Sequence, residues 1–123
     1  MKSRLLAVLV GLGVLITTTP LSAHHSTTMY NMGNPSTVTG TVKRFEWTNP
    51  HAYIYLEVKG DDGKMVEWEI EMMSLNHLRS YGWVRDTVKA GEQISCTGGR
   101  AKNGAPSMIS ALIKLPDGRE IRS

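Results

Sequence analysis

From Thr37 onward, apolar residues recur at every second position, broken by short clusters of Gly, Asp, Asn and Pro. A period of two is the mark of strands with one buried face. Val38, Gly40 and Val42 hold one parity, then Phe45 and Trp47 take the other. That slip predicts a bulge or sharp coil near Lys43–Arg44 in a long, bent first strand, with Gly40 easing the bend. Thr48-Asn49-Pro50 signals a turn. The second strand, 52–59, sends Ile54, Leu56 and Val58 inward and Tyr53, Tyr55 and Glu57 outward. Asp61-Asp62-Gly63 reverses the chain. In the third strand, 64–72, Val66, Trp68, Ile70 and Met72 share a core face, leaving Glu67, Glu69 and Glu71 on a solvated one.

The period then changes. Leu75 and Leu78 share one side of a short helix over 75–81, with Ser74 as its cap and Gly82 at its end. Trp83-Val84-Arg85-Asp86 leads to a turn at Lys89-Ala90-Gly91-Glu92, and Arg85-Asp86 reads as a local ion pair or turn brace. The fourth strand is 93–97, with room to run on to 101. Asn103-Gly104 marks a hairpin before the fifth, 107–115, which puts Ile109, Ala111, Ile113 and Leu115 on one face. Asp117-Gly118 makes a last turn before Ile121. Five strands, the first one bent, with a helix between the third and fourth, predict a mainly all-β fold: a small five-stranded OB-like barrel. Closure also disposes of the unpaired edges that the alternative, an open β-sandwich, would expose.

Ahead of the strands the text differs. Lys2 and Arg4 precede an apolar run from Leu5 to Ile16, followed by small residues up to Ala23. Residues 1–23 therefore read as a secretory signal peptide, since the run is shorter than the roughly 20 residues a spanning helix needs. The expected product is periplasmic, with no stable membrane insertion after cleavage. Residues 24–36 are polar and aperiodic and read as a flexible arm, and 37–123 as the OB-like β-barrel domain.

Cleavage also changes the charge. The full chain carries a formal +3, and loss of Lys2 and Arg4 reduces it to +1. A near-neutral domain lacks the cationic surface that phosphate neutralisation demands, so no nucleic-acid partner is expected. The single cysteine, Cys96, excludes an internal disulfide. It follows Ile94 at strand spacing and reads as a small buried hydrophobe.

Cleavage after Ala23 would make His24 the first residue, joining a free amine to the His24 and His25 imidazoles. Nitrogen chelates of that kind suit copper, zinc and nickel, with copper favoured on affinity, and the thioethers of Met29 and Met32 would suit Cu(I). His51 opens the second strand beside the turn and is a candidate metal or ligand contact. His77 is expected to face solvent. Met72 is a core residue, whereas Met65 and Met73 fall on neither pattern. A nucleophile-elbow motif, a cysteine-centred copper motif and paired zinc-ligand spacings are all missing from the sequence, so no enzyme is expected.

His24-His25-Ser26, Glu46-Trp47-Thr48-Asn49-Pro50-His51-Ala52, Gly82-Trp83-Val84-Arg85-Asp86 and Gly98-Gly99-Arg100-Ala101-Lys102-Asn103-Gly104 together resemble an uncharacterised family of small exported bacterial proteins. The resemblance covers nearly the whole mature chain and implies a periplasmic location and an OB-like domain, without an activity. In layout alone the chain is similar to the OB-barrel copper chaperone of periplasmic efflux pumps, whose ligand positions do not transfer. Two functions follow as expectations. One is a non-catalytic domain that binds copper or another transition metal through His24 and His25, assisted by His51, Met29 and Met32. The other is an envelope module that holds a protein partner or small ligand, without metal, through Trp47, Asn49, His51, Tyr53, Trp83 and Arg85.

Overall fold

The computed structural model describes residues 27–123. The expected signal peptide and the His24–His25 pair lie outside them. Six strands form: β1 (Ser36–Glu46), β2 (Tyr53–Lys59), β3 (Met65–Glu71), β4 (Gln93–Arg100), β5 (Ser107–Lys114) and the short β6 (Glu120–Arg122), with helix α1 (Leu75–Ser80) between β3 and β4. They pair in the order β3-β2-β1-β4-β5-β6. A parallel contact of Glu69–Glu71 with Ser107–Ile109 joins β3 to β5 and closes β1–β5 into a five-stranded barrel. This is the mainly all-β barrel, with one short helix between β3 and β4, that the pattern predicts. The third-strand and helix limits differ from the expected ones by a residue, and β6 is an addition outside the barrel.

The predicted kink in β1 is real. Val42 pairs with Leu56 and Arg44 with Tyr55, so Lys43 is an extra residue that switches the inward parity. Val38 and Val42 precede the switch in the core, and Trp47 follows it. The same device in β5 corrects the expected single face of Ile109, Ala111, Ile113 and Leu115. Gly98 pairs with Ser110 and Thr97 with Leu112, so Ala111 is the extra residue and is exposed. Met108 and Ser110 therefore point inward before the bulge, and Ile113 and Leu115 after it. Val66 also departs from the core, because β3 begins beyond the barrel wall, and Trp68 is half-buried there. Cys96 is fully buried, and desolvation pushes its thiol up to about 12.

The segment expected to be a flexible arm is docked over its described part. Tyr30 is 7% exposed, forms a bridge with Ala101 and shares a hydrogen bond with Ser107 Oγ at 3.2 Å. Asn31 N–H donates to Arg100 O, and Lys102 N–H to Met29 O, both at 2.9 Å. One amphipathic ring is enough to seat a short polar segment when the neighbouring strand end still has backbone groups to offer. Among the described residues, no helix is long and apolar enough to cross a membrane.

Candidate functional site: a histidine-bearing face and a tryptophan groove

His51 precedes β2, where the β2–β3 ladder continues through Met72 N–H donating to Ala52 O and Ala52 N–H donating to Met73 O. This holds the imidazole against the end of β3. Its Nδ1 lies 2.8 Å from Met72 O and 3.1 Å from Glu71 Oε1. A carbonyl oxygen only accepts, so Nδ1 carries the proton, and in the neutral ring Nε2 keeps the lone pair. The side chain of His51 is 36% exposed. Metal-ligating histidines usually stand this way, one nitrogen donating to a carbonyl or carboxylate and the other available.

Glu71 corrects the expectation of a solvated glutamate row. It is 6% exposed, whereas Glu67 sits in the open and pairs with Lys43 at 2.7 Å and Arg44 at 3.3 Å. The difference lies in position along β3. Glu71 is paired with Tyr53 on one side and Ile109 on the other, where the barrel closes. Period-two alternation assigns it correctly to the outer face and cannot show that this face is covered.

The docked arm reaches the same face. Tyr30 meets Ser107, which pairs with Glu69, two positions along the ladder from the Ile109–Glu71 pair. Two strand residues span roughly 7 Å. The Tyr53 hydroxyl is pushed up to about 12, by burial first and then by Glu71, with smaller contributions from Glu69, Tyr55 and Tyr30. Tyr53 stacks on Tyr55, with ring centroids 6.4 Å apart. Met29 and Met32 are both exposed on the arm, and so are Met65 and Met73 elsewhere. Among the described residues no group of three or more His, Cys, Asp or Glu side chains is arranged to hold a metal ion.

The other predicted contact residues divide between scaffolding and a separate groove. Asn49 Oδ1 accepts from Leu75 N–H at 3.3 Å, so it satisfies the start of α1. Ser74, expected to cap, uses its hydroxyl on His77 Nδ1 instead, and His77 is exposed as expected. The asparagine precedes a cis Asn49–Pro50 bond. At its other end α1 stops as Gly82 predicts. Gly82 has φ +94°, its N–H donates to Arg79 O, and Trp83 N–H donates back to Leu78 O, both at 3.0 Å. This pair of hydrogen bonds over a left-handed glycine, with apolar Trp83 returning onto Leu78, is the Schellman arrangement. It fixes where Trp83 lies.

Trp83 is consequently buried, and its indole N–H donates to Arg122 O at 2.6 Å. Phe45 bridges it to Trp47, with centroid distances of 5.8 Å and 5.7 Å. Trp47, Arg79, Gly82, Trp83, Val84 and Arg85 line an open groove of about 370 Å³. Trp47 thus joins an aromatic cluster at α1, while Tyr53 lies on the outer face with Glu71. The expected Arg85–Asp86 ion pair does not form. Thr87 braces that turn instead, through Val84 N–H to Thr87 Oγ1 at 2.8 Å. Arg79 was not singled out from the sequence, and nothing in a six-residue helix of mixed polarity marks it.

No curated protein matches the chain. Residues 12–110 match the model of the family of unknown function DUF6152, which spans the arm, α1 and most of the barrel, and the chain belongs to that family.

Proposed function

We propose that this protein is an exported, periplasmic, non-catalytic domain that binds copper or another late transition metal. His24, with its amine and ring, and His25 supply the main ligands, His51 Nε2 adds a distal imidazole, and Met29 and Met32 assist with Cu(I). The observation that carries this reading is the state of His51: Nδ1 is committed to the Met72 carbonyl and the Glu71 carboxylate, which leaves the Nε2 lone pair able to coordinate. Support also comes from Tyr30, which seats the arm on the outer face that carries His51 and Glu71. His25 stands two residues before Thr27, so the chain between them can reach at most about 7 Å.

The test is titration with Cu(II) and Cu(I) against competing chelators, using protein whose intact mass establishes His24 as the first residue. One equivalent should bind tightly. One extra residue before His24 should weaken Cu(II) binding strongly, because the terminal amine is then an amide. His51→Ala should weaken it by about tenfold or more, and Glu71→Gln by about tenfold, the range for a group that orients a ligand. Micromolar binding that ignores both the extension and His51→Ala refutes the proposal.

A further inference from the structure

We propose that the groove between Trp47 and Trp83 is a second, metal-independent site, and that it binds a small aromatic carboxylate. The floor is apolar by construction. Trp47 and Trp83 belong to the core cluster and are held by Phe45, so their positions do not depend on a ligand. Val84 extends the apolar lining into solvent at 55% exposure. A groove of about 370 Å³ has room for a bicyclic ring and a short substituent, at the lower end of small-molecule sites.

The charge on the rim selects the ligand. Arg79 and Arg85 are exposed, and neither belongs to an ion pair among the described residues. Arg79 lies 5.7 Å from the Trp47 ring centroid, which keeps its guanidinium over the apolar wall. None of the six lining residues is acidic. Two guanidiniums without carboxylate partners, beside two indoles, fit a planar body that carries a carboxylate, because the guanidinium fork matches that group in shape and charge. The Thr87 brace explains why Arg85 is available: the turn is held by a hydroxyl and backbone groups, without its charges.

The probe pair is naphthoate and its neutral amide, naphthamide, titrated into the metal-free protein with the Trp indole N–H signals observed by NMR. Naphthoate should shift the Trp47 and Trp83 signals and bind about tenfold more tightly than the amide, as expected for a charge-assisted contact. Arg79→Gln and Arg85→Gln should each erode that preference, and Val84→Glu should weaken naphthoate more than naphthamide. All three positions are exposed, so the variants retain the fold, which an unchanged melting curve checks. Equal affinity for acid and amide, unchanged affinity in both arginine variants, or shifts confined to Trp68 would each overturn the proposal. Adding copper should leave the titration unchanged.

Discussion

Gly99→Ala should release the arm. Gly99 lies in β4 beneath the docked segment, and a Cβ built there would stand 2.6 Å from Met32 Sδ and 3.0 Å from both Asn31 C and Met32 N. The thioether can swing aside at little cost. The two backbone atoms cannot swing aside, and they must retreat by a few tenths of an ångström to reach ordinary contact. Asn31 N–H donates to Arg100 O at 2.9 Å, and a retreat of that size stretches and weakens the bond. A stretched bond forfeits part of its roughly 0.5–1.5 kcal/mol, and residual crowding in a packed contact costs about 1–3 kcal/mol. Alanine's better strand propensity returns about 0.5–1 kcal/mol. The balance is destabilising by about 1–3 kcal/mol, or about fivefold to 150-fold in the opening equilibrium. Native-state hydrogen exchange reads this directly. The amides of Asn31 and Lys102, both bonded across the arm–β4 contact, should exchange faster by that factor. Gly33→Ala is the control, because nothing lies within 4 Å of the added carbon. Unchanged exchange at both amides in Gly99→Ala would refute the reasoning, and an equal acceleration in Gly33→Ala would assign the effect to arm propensity alone.

Gly40→Ala should lower stability by about 1–3 kcal/mol, because its Cβ would stand 2.6 Å from Glu57 O, a backbone atom fixed by the β1–β2 ladder. For a domain of this size the melting temperature should fall by roughly 4–8 °C per kcal/mol, and an unchanged or raised value would contradict the packing argument. Cys96 should resist an aromatic disulfide reagent at mildly alkaline pH and react fully once urea unfolds the chain, since burial pushes its thiol up to about 12. Rapid reaction in the native state would show that the core opens locally. The Glu67 carboxyl is held below its ordinary value of 4.5, chiefly by the Lys43 hydrogen bond. Its stabilising effect is therefore present above that value and fades as the pH falls through the lower folded one. Lys43→Met should return the midpoint toward 4.5 in an NMR titration, and no movement would dismiss the pair.

Local alternation made most of the barrel legible. The bulge at Lys43 shows in the sequence because Val42 and Phe45 change parity around it. The bulge at Ala111 does not show, because Met108, Ile109, Ala111, Leu112 and Ile113 offer apolar residues on both parities. Gly82 announces the end of α1 through the one backbone conformation that glycine adopts freely. The burial of Glu71, the release of Arg85 from Asp86 and the joining of Trp47 to Trp83 have no local signature.

The sequence by itself determined the five barrel strands, the turns between them, the short helix and the barrel they close, because period and turn chemistry are properties of neighbouring residues. It also singled out His51, the arm and the two tryptophans as the positions with chemistry to explain. Only the tertiary structure decided their partners. His51 acquires a defined tautomer because Met72 and Glu71, some twenty positions onward, are folded against its ring. Tyr30 finds its place because Ser107, 77 residues away, closes the barrel beside it. A residue's face follows from its neighbours in the chain. Its burial, charge environment and partners follow from which distant strands close over it.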